Sequence, residues 1–126
     1  MVKDSEIFEH ATELVENGFA KDVFALDKNG DTTLWFDNDA VSFCVRGAIL
    51  RSYLDLKYVR LNDSCPTHLE YFVASVLGLD PIDRRTCYHS LAIWNNKPER
   101  TKNQVVTLLK KCSELKRINE IKEQTP

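Results

Sequence analysis

Glycine is scarce in this chain, with four in 126 residues. That leaves no glycine-rich loop to cradle a phosphate, and no Gly-x-Ser-x-Gly nucleophile elbow or His-Glu-x-x-His zinc motif is present. Long apolar runs are missing too. No window approaches the roughly 18 apolar residues that span a bilayer. The N-terminal MVKDSEIFEH lacks the basic-then-apolar order of a secretion signal. The expected location is therefore the cytoplasm, without a membrane. The four cysteines, Cys44, Cys65, Cys87 and Cys112, are widely spaced, unlike the disulfide framework of a small secreted domain. They are expected as free, buried thiols.

What is present is an ordinary globular composition, 43% apolar and 29% charged. The length suits one domain over residues 1–126 with a single core. The net charge of −2 hides an asymmetry. Residues 1–50 carry four basic and ten acidic side chains, whereas residues 97–126 carry eight basic and four acidic. A non-specific nucleic-acid binder needs a broad basic face, so nucleic acid is not the expected partner. The acidic first half points instead to a basic protein surface or to self-association, for instance as a homodimer.

The periodicity predicts a mainly α domain with one small β-hairpin packed on a central helix. Ile7, Phe8, Ala11, Leu14 and Val15 recur at helical spacing after an Asp4 or Ser5 cap, and Gly18 is placed as a left-handed terminator. Val23 to Asp27 then alternates, Asn29-Gly30 marks a hairpin turn, and Thr32 to Phe36 supplies the return strand. Phe43 to Leu56 (FCVRGAILRSYLDL) is apolar around most of its circumference and reads as the central helix. Its small residues Cys44, Gly47 and Ala48 predict a close approach by another backbone, since a mid-helix glycine otherwise costs about 1 kcal/mol. Further helices are expected from Ser64 to Leu77, from Asp80-Pro81, over Tyr88 to Trp94, and from the Thr101/Gln104 capping box to Ile118. Residues 119–126 are expected to fray.

Candidate sites follow from local chemistry. Asp27 to Asn38 opens like a calcium loop, but Thr32 replaces the glycine of the sixth position and Asn38 the glutamate of the twelfth. A polar hairpin turn explains the same residues. Cys65, His68, Cys87 and His89 have the wrong spacing for structural zinc, so neither a metal nor a cofactor is expected. No histidine is tied to Cys44 as a base, and no pair of carboxylates is singled out. The Trp94-Asn95-Asn96 segment with Arg100 is the preferred interaction spot, because tryptophan and arginine are frequent interface anchors beside polar residues. Trp35 on the hairpin is the second choice.

Several of these residues also form a recognisable set. Gly18-Phe19, Ala25-x-Asp27, Phe43-Cys44-x-x-Gly47-Ala48-Ile49, Ile93-Trp94-Asn95-Asn96 and Arg100-Thr101-x-x-Gln104-Val105 resemble, in the same order, domain of unknown function 6197, a family of small bacterial and phage proteins. Phe19, Asn96 and Gln104 depart from it, standing where tryptophan, aspartate and glutamate are usual. The resemblance implies a compact, mainly helical domain, supplies no activity, and is compatible with a phage-related origin.

Three functions are carried forward. The first is a protein-binding or regulatory module, an inhibitor or adaptor acting by surface occlusion. The alternatives are a small enzyme with a site between helices, for which Cys44, His89 and Arg100 would share a pocket, and a nucleic-acid binder using the basic C-terminal helix.

Overall fold

The computed structural model describes residues 2–57, 67–79 and 87–124. The expected start of the third helix, with Ser64 and Pro66, and the short helix from Asp80-Pro81 lie outside them, as does Cys65.

Helix α1 (Asp4–Asn17) buries Ile7, Phe8, Ala11 and Val15, the stripe its periodicity predicts. Gly18 follows it, but not in the left-handed region. Its φ of 176° is extended backbone. The glycine is required instead by proximity, because a Cβ there would collide with Ser42 and with the Val41 carbonyl.

The hairpin forms, but in shorter strands than the alternation suggests, and it gains a third. Strands β1 (Ala25–Leu26), β2 (Thr32–Thr33) and β3 (Ser42–Phe43) make an antiparallel sheet of order β2-β1-β3. Ala25 pairs with Thr33 on one side and Phe43 on the other. The turn is polar, as expected: Asp27 Oδ1 accepts the N–H groups of Asn29 and Asp31 at 2.9 and 3.0 Å. Gly30 holds φ +82°. The simple hairpin-on-helix picture is therefore corrected to a small three-stranded sheet. Phe43, placed in the central helix by its apolar context, is a strand residue. Its N–H donates to the Gly18 carbonyl and its carbonyl accepts from Ala20 N–H, both at 3.0 Å. That bonding ties the segment after α1 to the sheet.

The central helix α2 (Val45–Lys57) starts one residue after β3. The seam predicted within it is present: a Cβ on Gly47 would run into the Phe24 carbonyl. Helices α3 (Thr67–Val76), α4 (Cys87–Asn95) and α5 (Lys102–Gln124) complete five helices among the described residues. Ile7, Phe8, Phe43, Ile49, Leu69, Leu91 and Leu109, one or more from each helix and one from the sheet, fill a single core. No helix among them is long and apolar enough to cross a membrane.

Helix α5 opens with the expected capping box. Thr101 Oγ1 accepts Gln104 N–H at 3.3 Å, and Gln104 Oε1 accepts Thr101 N–H at 3.1 Å. It runs on past Ile118 to Gln124, where fraying was expected. The anchor is Glu120, whose carboxylate accepts the Ser5 N–H at 3.2 Å and the Ser5 hydroxyl, closing the first turn of α1. Acidic charge belongs near a helix N-terminus. Further along the seam Lys116 pairs with Asp4, Arg117 with Glu9 and Lys110 with Glu16, at 3.2–3.6 Å. Part of the charge asymmetry is thus satisfied within the molecule.

Candidate functional site

Three segments converge on one crevice of about 130 Å3. Asp22, Val23 and Phe24 lead into β1, Cys44, Val45 and Arg46 open α2, and Ala92, Asn95 and Asn96 end α4. Apolar side chains and main chain make most of its wall, and what holds the wall in place is a relay of amide hydrogen bonds.

Asn95 is the centre of that relay and is almost wholly buried. Its Oδ1 accepts the Val45 N–H at 3.0 Å, one of the backbone donors that the first turn of a helix cannot use internally. Its Nδ2 donates to the Ala20 carbonyl at 3.1 Å and to Asn96 Oδ1 at 3.0 Å. Asn96 Oδ1 accepts in turn the Asp22 N–H at 2.8 Å. Asp22 stands at φ +67°, a left-handed conformation that aspartate tolerates better than bulky residues do. Both bonds to Asn96 arrive at its oxygen, so an aspartate there would accept the same two.

Cys44 lies between β3 and α2. Its N–H donates to the Phe24 carbonyl at 3.1 Å, and its thiol accepts the Gly47 N–H at 3.2 Å. A cysteine thus occupies the N-cap position usually given to serine, threonine or aspartate. Burial pushes the Cys44 thiol up from its usual range, outweighing the lowering effect of the Gly47 and Arg46 N–H groups and of the Arg46 charge. The thiol is neutral at neutral pH, which is wrong for a nucleophile.

Arg46 forms the charged side of the crevice. Its Nε donates to Glu70 Oε1 on α3 at 3.2 Å, and its guanidinium lies 4.9 Å from the centre of the Phe24 ring. Glu70 is fully buried, and among the described residues its Oε2 has no hydrogen-bond partner. Burial raises its pKa against the opposing pull of Arg46.

The residues expected at an interaction spot are divided among three places. Asn95 and Asn96 line the crevice. Trp94 and Arg100 turn to a shallower neighbouring depression with Asn103, Gln104 and Thr107. There the Arg100 guanidinium stacks 3.8 Å from the Trp94 ring centre, while its Nε donates to the Trp94 carbonyl at 2.9 Å. Trp35 sits apart on the sheet side, half-buried, edge-on to Phe36 at 5.2 Å, with its carbonyl accepting from Arg51. Among the described residues, neither His89 nor Arg100 lines this crevice with Cys44. Cys44 and Cys112 are free and buried. Among the described residues no group of three or more histidine, cysteine, aspartate or glutamate side chains could hold a metal.

The family model described as "Family of unknown function (DUF6197)" matches residues 1–115. The chain belongs to that family. No curated protein and no solved structure matches it. Membership in DUF6197 brings no activity with it, so function has to be argued from the site.

Asp22, Arg46 and Glu70 were not singled out by sequence reasoning in this DUF6197 member. A signal for the last two existed, namely opposite charges set within two otherwise apolar helical patterns. Asp22 had none, because its place depends on an amide 74 residues away.

Proposed function

We propose that the protein is a small protein-binding module, an inhibitor or adaptor, and that the crevice between the β1 lead-in, the start of α2 and the end of α4 receives an apolar side chain of its partner. The supporting observation is the relay through Asn95, which holds three separate segments around a preformed, mostly apolar cavity. Preformed concave sites bind at a lower ordering cost. A cavity of about 130 Å3 is close to the size of an engineered apolar cavity that holds a benzene ring, which suits one side chain. Exposed Phe24 in its wall supplies an apolar edge around which polar contacts would exclude water.

The test is recovery of a partner from lysate with the wild-type chain and with Ala92→Phe, which fills the crevice. A partner lost on filling supports the reading, once the melting curve confirms folding. A partner retained at wild-type yield by the filled variant refutes it.

The small-enzyme reading keeps one observation in its favour: the crevice lies between helices and has a thiol in its wall. Alkylation separates the two. A binding module with a neutral Cys44 reacts slowly with iodoacetamide at neutral pH, whereas a catalytic thiolate reacts faster than a free cysteine. The nucleic-acid reading is less well supported, because Lys110, Lys116 and Arg117 are already paired with α1 carboxylates.

A further inference from the structure

The acidic charge of the first half divides into two parts with different fates. On α1, three of the five acidic side chains, Asp4, Glu9 and Glu16, are paired with α5, and Glu6 and Glu13 are exposed. On the sheet lobe, residues 22–41, five aspartates stand with a single lysine, Lys28. Among the described residues none of those five carboxylates makes an ion pair. Asp27 and Asp37 serve turns through side-chain oxygens, while Asp22, Asp31 and Asp39 are exposed.

Among the described residues the same lobe carries three of the six large apolar side chains left in water: Phe24 at 39%, Leu34 at 57% and Val41 at 45% exposure. Phe24 and Leu34 flank the paired residues Ala25 and Thr33. One further step in that register sets them opposite each other, on the face away from buried Ala25. Phe24 is also a wall of the crevice. Arg46, the cation over Phe24, is itself paired with Glu70. An apolar face that continues into a cavity and shares its lobe with aspartates lacking an ion-pair partner among the described residues is therefore complementary to one kind of partner surface.

We infer that the sheet lobe docks a basic, amphipathic protein segment, with lysine or arginine side chains facing Asp22, Asp31 and Asp39 and an apolar side chain against Phe24 and Leu34. This rests on the proposed binding function and adds the chemistry of the partner. A nucleic acid is disfavoured, because its phosphates would meet the same aspartates.

The experiment uses the full chain labelled with 15N and three synthetic peptides of matched length and leucine content, one Lys/Leu, one Glu/Leu and one Gln/Leu. The Lys/Leu peptide is expected to shift amides of residues 22–41 and to bind less tightly as salt rises. The triple variant Asp22→Asn, Asp31→Asn, Asp39→Asn is expected to weaken it about tenfold, since three steering charges are removed and no side-chain hydrogen bond of the lobe is lost. Equal binding of the Glu/Leu or Gln/Leu peptide overturns the inference and leaves the crevice reading intact. So does a Lys/Leu peptide that shifts only α1 and α5, or nothing at all. Lobe shifts without shifts at Val45, Gly47 and Asn95 uphold the inference and refute the crevice as its anchor. Concentration-dependent lobe shifts without peptide overturn it in favour of a second copy of the chain.

Discussion

Asn95 Oδ1 takes the backbone N–H of Val45 at 3.0 Å, joining the last residue of α4 to the first residue of α2 across 50 positions of sequence. A helix that starts one residue after a strand has no room for a conventional capping sequence. Here the cap is divided between a local thiol and a distant amide.

Replacing Asn95 with alanine leaves the Val45 N–H and the Ala20 carbonyl buried without partners. Each such group costs roughly 1–3 kcal/mol, so a loss of about 2–6 kcal/mol is expected in urea unfolding. Asn95→Asp keeps the acceptor for Val45 but removes the donor to Ala20 and Asn96 and introduces a buried charge. It is expected to destabilise at pH 7 and less so in acid. Equal stability of wild type and Asn95→Ala would remove the relay from any structural account. By contrast, Asn96→Asp is expected to stay close to wild type, because both of its bonds are accepted at oxygen.

Gly47 gives a prediction opposite to helix propensity. In an exposed helix, glycine to alanine gains about 1 kcal/mol. At Gly47 the new methyl would meet the Phe24 carbonyl, and that carbonyl also accepts the Cys44 N–H, so it cannot move without opening the strand–helix junction. Overpacking costs about 1–3 kcal/mol. The expected result for Gly47→Ala is a net loss of about 1 kcal/mol, with Phe24 and Cys44 amides the most shifted. A rise in melting temperature would contradict it.

These two positions show what was legible beforehand. Gly47 could be read, because a mid-helix glycine beside alanine in a helix apolar on most sides has few explanations other than close approach. The helices of α1 and α5 were readable for similar reasons of period and capping, the Thr101/Gln104 box above all. The third strand was not readable. Ser42-Phe43 is two residues long, has no turn signal after it, and runs straight into apolar Val45, so a strand and a helix merge into one pattern. Cys44 deepened the ambiguity by taking the place of a recognisable cap. The site was half readable: Asn95 and Asn96 stood out as polar residues beside tryptophan, but their partners at Ala20, Asp22 and Val45 depend on packing that no local pattern encodes.

Glu120 is expected to matter more than a residue so near the end of the chain ordinarily would. Its carboxylate fills the role of a cap for α1 through Ser5. Glu120→Ala should cost about 1 kcal/mol, in line with loss of a cap and of a favourable charge at a helix N-terminus. Glu120→Gln should recover part of that. A double-mutant cycle with Ser5→Ala measures the coupling directly. Additive losses would mean that the two side chains do not act together in solution.

Glu70 makes a pH-dependent prediction. Burial raises its pKa above the 4.5 of an exposed glutamate, and the Arg46 pairing only partly offsets this. The folded state therefore holds the Glu70 proton more tightly than the unfolded state does. Its contribution to stability is fully present below pH 4.5 and is lost as pH rises through the raised folded value. The comparison that isolates it is wild type against Glu70→Gln, which keeps an acceptor for Arg46 and cannot ionise. The stability of Glu70→Gln relative to wild type should increase as pH rises from 4.5 toward neutrality, because only the wild type has to bury a charge with one oxygen unpartnered among the described residues. A difference that stays constant across that range would show that Glu70 remains ionised in the fold, with Arg46 outweighing burial.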